Sequence, residues 1–199
     1  MFVLTVDQRG STGQPDRVPA LLRHLDDFLA GRPGVVVGFD RTVGDEVQGV
    51  LDDPGTVVDV VLDLLRDGGW SVGLGTGTVD EPLPAVSREA SGEAFVHARD
   101  AVEQAKSRTA TAPVAVRGGT RADEVEALLR LLAAVAARRT DPGWEAIDAL
   151  AHVGGTQKDV AHRLGVTEQA VSQRLRSALW PEETAVRPVV VRLLGETDA

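Results

Sequence analysis

Hydrophobic positions along this chain change period several times, and each change marks a new element. FVLTV (2–6) is a continuous apolar run of strand character that ends at Asp7. After the polar loop DQRGSTGQPD, apolar residues recur at Val18, Leu21, Leu22, Leu25, Phe28 and Leu29, the spacing of one helix face. GVVVGF (34–39) and EVQGVL (46–51) are strand-like runs around the tight segment DRTVGD, which predicts a hairpin. Beyond Pro54-Gly55, Val57, Val60, Val61, Leu64 and Leu65 return to helical spacing. WSVGLGTG (70–77) then predicts a strand, SGEAFVHARDAVEQAK (91–106) a helix and APVAVR (112–117) a further strand.

The order β-α-β-β-α-β, followed by α-β, predicts an α+β chain in which residues 1–118 form a ferredoxin-like domain with split βαβ topology. Residues 119–140 hold a linking helix, Ala122 to Arg139, with Val125, Leu128, Leu129, Leu132 and Val135 inward. It is long enough to connect domains or to dimerise them. Asp141-Pro142-Gly143 punctuates the chain, and residues 141–199 predict an all-α domain that begins with a helix from Trp144 to Ala151. The tail PEETAVRPVVVRLL predicts a helix bent at Pro188, with a strand over 189–193 as the alternative.

Within that last domain, T156-QKDVAHRLGVTEQAVSQRLR-176 has the offsets of a helix-turn-helix. Thr156 caps a first short helix with Asp159 as its capping-box partner, Gly165 supplies positive φ at the turn, and Thr167 caps a second helix. Val160, Ala161, Leu164, Val171 and Leu175 form the inward stripe, and Ala161 keeps bulk low where the helices cross. The polar residues are left outside. Gln169, Ser172, Gln173 and Arg174, with Thr167, are the types that reach base edges, while Thr156, Gln157, Lys158 and Arg176 suit phosphates. The partner this predicts is double-stranded DNA, met by a homodimer on a two-fold symmetric site.

Charge narrows that picture. The chain of 199 residues carries net charge −9, and residues 141–199 hold six Lys/Arg against nine Asp/Glu. A surface this acidic disfavours indiscriminate polyanion binding, so tight binding to DNA should depend on sequence. There are no cysteines, hence no disulfides or thiolate metal sites. No apolar run is long enough for a bilayer and the opening MFVLTVDQRG has no signal-peptide pattern, so the expected location is cytoplasmic, away from membranes. GLGTGT (73–78) lacks the following helix cap of a dinucleotide fingerprint and reads as a strand end in a close-packed turn. The tryptophans at 70, 144 and 180 read as core anchors, and the four histidines lack metal-ligand spacing.

A second chemistry lies at the end of the first strand. In the predicted topology Asp7 and Asp45 come together, and two adjacent carboxylates repel unless a cation or proton lies between them. Asp7 and Asp45 are therefore candidate ligands for Mg²⁺ or Mn²⁺, with Gly10, Ser11 and Thr12 as a phosphate cradle.

VLTVDQRGST with RTVGDEVQGVL resembles the two metal-site segments of class III nucleotide cyclases, and V43-GDEV-47 is similar to the GGDEF signature of diguanylate cyclases. EAFVHARDAVEQAK resembles the helix that closes those palm domains. The whole layout, a palm or cyclase-like domain before a helix-turn-helix, resembles the SatD family of bacterial DNA-binding regulators. The resemblance implies Asp7 and Asp45 as metal ligands, Glu46 in a metal or catalytic position, Gly10 to Thr12 on a triphosphate, and Arg99 where cyclases keep a transition-state arginine. It implies a nucleotide ligand with Mg²⁺ or Mn²⁺. Three departures count against catalysis: Phe95 stands where cyclases carry an Asn, Val43 replaces the first Gly of GGDEF, and the segment after Gly77 is short. The expected function is a sequence-specific DNA-binding regulator with a sensing or dimerising domain, and the alternative is a diverged metal-dependent nucleotidyl cyclase.

Overall fold

Every side chain of β1 (Phe2–Gln8) is buried, which a strand achieves only in the middle of a sheet covered on both faces. A computed structural model describes residues 1–107 and 112–197, so the ranges 1–118 and 141–199 each include residues outside it. The elements follow as α1 (Val18–Leu29), β2 (Val35–Arg41), β3 (Glu46–Leu51), α2 (Pro54–Asp67), β4 (Trp70–Thr76), α3 (Glu93–Lys106), β5 (Val114–Arg117) and α4 (Ala122–Ala136). Four more helices complete the chain: α5 (Asp141–Val153), α6 (Gln157–Leu164), α7 (Glu168–Ser177) and α8 (Trp180–Thr197). The architecture is α+β, a five-stranded mixed sheet with eight α-helices among the described residues. The element order is the one that hydrophobic periodicity predicts.

The strand order is β2-β3-β1-β4-β5. β1 is antiparallel to both β3 and β4, and only β5 joins its neighbour in parallel. The alternation of β1 sorts the layers. Phe2, Leu4 and Val6 enter the main core with α1, α2, α4 and α8, whereas Val3 meets Ala94, Phe95 and Ala98 of α3 on the other face.

α3 lies unusually close to the sheet because glycine is placed under it. A Cβ on Gly73 would come 2.3 Å from the Val102 nitrogen, and one on Gly75 would come 2.1 Å from the Ala94 oxygen. Ala94, Ala98, Ala101 and Ala105 give the matching small face on the helix. The GLGTG run ends β4 at Thr76 as expected, and its close packing extends back under α3 through Gly75 and Gly73.

The last helix changes sides. α5, α6 and α7 build their own small core from Ala146, Ile147, Ala149, Val160, Ala161, Val171 and Leu175. α8, grouped by sequence with that unit, instead sends Val190, Leu193 and Leu194 into the main core against α2 and α4. It is one helix with Pro188 inside it, and the alternative strand over 189–193 does not form. No helix among the described residues is long and apolar enough to cross a membrane.

Candidate nucleic-acid interface and carboxylate pocket

The helix pair α6–α7 is shaped by short-range chemistry. Asp159 accepts hydrogen bonds from the Thr156 backbone N–H and hydroxyl, both at 2.8 Å. Those bonds hold its carboxyl below the usual aspartate range, the backbone N–H having the larger effect. Gly165 sits at φ 65°, ψ 32°, where an L side chain is strained, and the Val166 N–H turns back to the Ala161 carbonyl. Thr167 accepts from the Ala170 N–H at 3.1 Å and starts α7. Val160 and Val171 are fully buried between the helices.

With Val171 and Leu175 inward, α7 exposes Gln169 and Gln173, four residues apart, beside the Ser172–Arg176 row. Gln157 and Lys158 are exposed at the start of α6, next to Thr156. Arg174 differs from the rest: it is half-buried and its guanidinium binds Glu145 of α5 at 2.7 Å. A nucleic acid would have to win that side chain from a carboxylate.

The small helical core is fixed to the main one through stacked arginines. Arg66 on α2 holds Asp148 on α5 by two 2.6 Å hydrogen bonds, and its guanidinium lies 4.2 Å from the Trp144 ring centre. Arg139 lies 4.7 Å from the same ring. The sequence marks Trp144 and Trp180 as anchors; Trp144 is covered by Arg66 from a distant segment and by nearby Arg139, and Trp180 by Arg139 and Arg187.

At the end of β1, antiparallel pairing sets Asp7 opposite Glu46, and the Gln8 N–H reaches the Asp45 carbonyl at 3.4 Å. The direct strand partner of Asp7 is thus Glu46, and Asp45 is near enough for its charge to act on Asp7. Glu46 accepts from the Thr42 hydroxyl at 2.5 Å, and Arg99 approaches it only to 3.9 Å. Among the described residues, the cation that pairs with Asp7 is one that the sequence did not indicate. α3 runs back along β4, so its last residue, Lys106, arrives with its ammonium 3.2 Å from Asp7 and 3.0 Å from Glu103.

The two partners respond differently. Burial pushes the Asp7 carboxyl up; the hydrogen bond and charge of Lys106 pull the other way and fall short, while Asp45 and Glu46 push further. Burial pulls Lys106 down, but the hydrogen bonds to Glu103 and Asp7 outweigh it and its pKa rises. The geometry of the pair and the buried position of Asp7 make both shifts consistent: the carboxylate loses more water than the ammonium does.

A divalent ion fits this arrangement poorly. No group of three His, Cys, Asp or Glu among the described residues could hold one, and a metal on Asp7 would have to displace the ammonium. Gly10, Ser11 and Thr12 line a cavity of about 750 Å³ with Asp7, Arg9, Ser71 and Lys106. The start of α1 is already capped, because Gln8 accepts from the Arg17 N–H and Asp16 accepts from the Val18 N–H. Gln8 also donates to the Pro15 carbonyl at 2.9 Å, so one buried side chain closes the loop from both sides.

Sequence reasoning missed Lys106, Arg9, Ser71 and Glu145. A cation in the last turn of the helix that follows β4 is the one signal that could have found Lys106. Comparison of the chain with family models, curated proteins and solved structures gives no match.

Proposed function

We propose that this chain is a sequence-specific DNA-binding transcriptional regulator. In this reading α6 and α7 are a helix-turn-helix, with α7 as the reading helix. The observation that carries it is the α7 face: Gln169, Gln173, Ser172 and Arg176 lie in two adjacent rows on the side away from Val171 and Leu175. Gln is the type that pairs with adenine edges, and Arg and Lys supply phosphate contacts. Lys158 and Gln157 would take the backbone on one side and Arg176 on the other, after Arg174 is released from Glu145.

The strand order β2-β3-β1-β4, with α1 and α2 against one face, supports a ferredoxin-like reading of the sheet domain, extended by β5. That domain would sense a nucleotide-type ligand, dimerise the protein, or do both, in a cytoplasmic homodimer of the SatD kind. A second reading, a diverged metal-dependent nucleotidyl cyclase, is favoured by the pairing of Asp7 with Glu46 beside Asp45. It predicts nucleotide turnover with Mg²⁺ or Mn²⁺ that disappears in Asp7→Ala and Asp45→Ala.

The deciding experiment is selection of genomic fragments by the purified protein near physiological salt, with Gln169→Ala/Gln173→Ala as control. Enrichment of a discrete, roughly palindromic site by the wild type alone is expected. Absence of enrichment, or equal enrichment by the double variant, would remove this reading.

A further inference from the structure

The cavity beside Asp7 offers more than the carboxylates that mark it. At about 750 Å³ it lies within the range of about 300–1,000 Å³ in which clefts enclose small molecules. Among the described residues its wall carries two cations, Arg9 and Lys106, and one carboxylate, Asp7, with hydroxyls from Ser11, Thr12 and Ser71. Glu103 pairs with Lys106 from outside that wall, so Arg9 is the cation that no carboxylate among the described residues holds. Such a wall suits an anion that accepts many hydrogen bonds, which is what a phosphate group does.

The two cations are differently held. Among the described residues the Arg9 guanidinium has one hydrogen bond, to the Gly68 carbonyl at 3.4 Å, a contact too long to restrain it. Lys106 is fixed between Asp7 and Glu103, and an ammonium with three protons keeps a donor beyond those two carboxylates. Mg²⁺ demands oxygen ligands at about 2.0–2.1 Å in octahedral array. The ammonium at 3.2 Å from Asp7 already meets the charge requirement that such an ion would meet.

We propose that the Asp7 cavity binds a phosphate-bearing small molecule without a divalent metal, Lys106 supplying the positive charge and Asp7 acting as the positioning residue that holds Lys106. The inference rests on the reading of the sheet domain as a ligand sensor and names the chemistry of that sensor. The carboxylates that would bind a metal elsewhere here orient an ammonium.

Titration calorimetry on the full chain tests it, with ATP and inorganic pyrophosphate as probes, once in excess EDTA and once in Mg²⁺. At least one probe should bind in EDTA. Lys106→Met should weaken that binding about tenfold or more, the worth of a charge-assisted hydrogen bond. Lys106→Arg, which keeps the charge, should retain most of it, so a folding defect in the first variant cannot imitate the result. Binding that requires Mg²⁺ and survives Lys106→Met would overturn the metal-free site and leave a ligand sensor standing. Failure of both probes in both buffers would remove the nucleotide-type ligand as well.

Discussion

Arg139, just past the end of α4, reaches Glu183 of α8 at 2.5 Å with the two side chains only 2% and 4% exposed. Arg187 contacts the other carboxylate oxygen at 2.8 Å, and Arg139 also donates to the Ala178 carbonyl at 2.8 Å. Glu183 therefore balances buried charge at the seam between the two cores. Removing one partner of such a pair leaves the other desolvated and uncompensated, at a cost of about 3–5 kcal/mol. Glu183→Ala should show that loss in urea denaturation, while Arg139→Met/Glu183→Leu should come back close to wild type. A single-variant loss below about 1 kcal/mol, the scale of a surface pair, would mean that water reaches the seam.

Gly75 admits no side chain where α3 crosses β4. Gly75→Ala should cost about 1–3 kcal/mol or more, because the obstructing atoms are helix backbone and cannot step aside as a side chain would. Thermal denaturation measures it. A wild-type melting temperature in the alanine variant would show that the helix sits higher than described.

Stability at the Asp7 pocket should depend on pH with a definite sign. Burial raises the folded-state pKa of Asp7, so the unfolded chain gives up this proton first as pH rises. Stability is then lost from about pH 3.9, the ordinary aspartate value, up through the raised folded value. Asp7→Asn removes that loss. Its melting temperature should exceed wild type at pH 7, and the gap should close as pH falls through the raised value. A gap that widens on acidification would show that Lys106 dominates the carboxylate.

DNA affinity should separate reading from positioning. Gln173→Ala should cost about 1–3 kcal/mol at the preferred site and relax one base position. Lys158→Ala should weaken all sequences alike and reduce the salt slope by about 1. Competition titrations on cognate and scrambled duplexes at several salt concentrations distinguish the two, and identical profiles would cancel the assigned roles.

Glu145 gives an independent check on the same surface. It holds Arg174 in a partly exposed ion pair, worth about 0–1 kcal/mol. Glu145→Gln should release the guanidinium and tighten DNA binding up to about fivefold with little change in stability. Weaker binding would mean that Glu145 orients Arg174 toward DNA.

Local signals were the legible ones. Thr156, Asp159, Gly165 and Thr167 act within a few residues of themselves, so caps and turn could be read directly. Asp7 and its carboxylate neighbours were legible because strand pairing follows from element order. Lys106 was not, since its place depends on where a helix ends after crossing a whole strand. The alternation of Gly73 and Gly75 with the alanines of α3 was visible in sequence, yet its meaning depends on which helix covers which strand. α8 was assigned by adjacency to its neighbours, whereas its Val190, Leu193 and Leu194 answer to a core begun at residue 2.

The return of α8 has a topological consequence. The chain leaves the main body after Arg139 and returns to it along α8, and Arg139 is hydrogen-bonded to Ala178, the last buried residue of the small core. The three helices between them form a closed excursion tethered at both ends, unlike a tail on a single hinge. The same closeness means that the trio could be cut out and its stumps joined by a short turn, leaving the sheet and α8 a continuous chain.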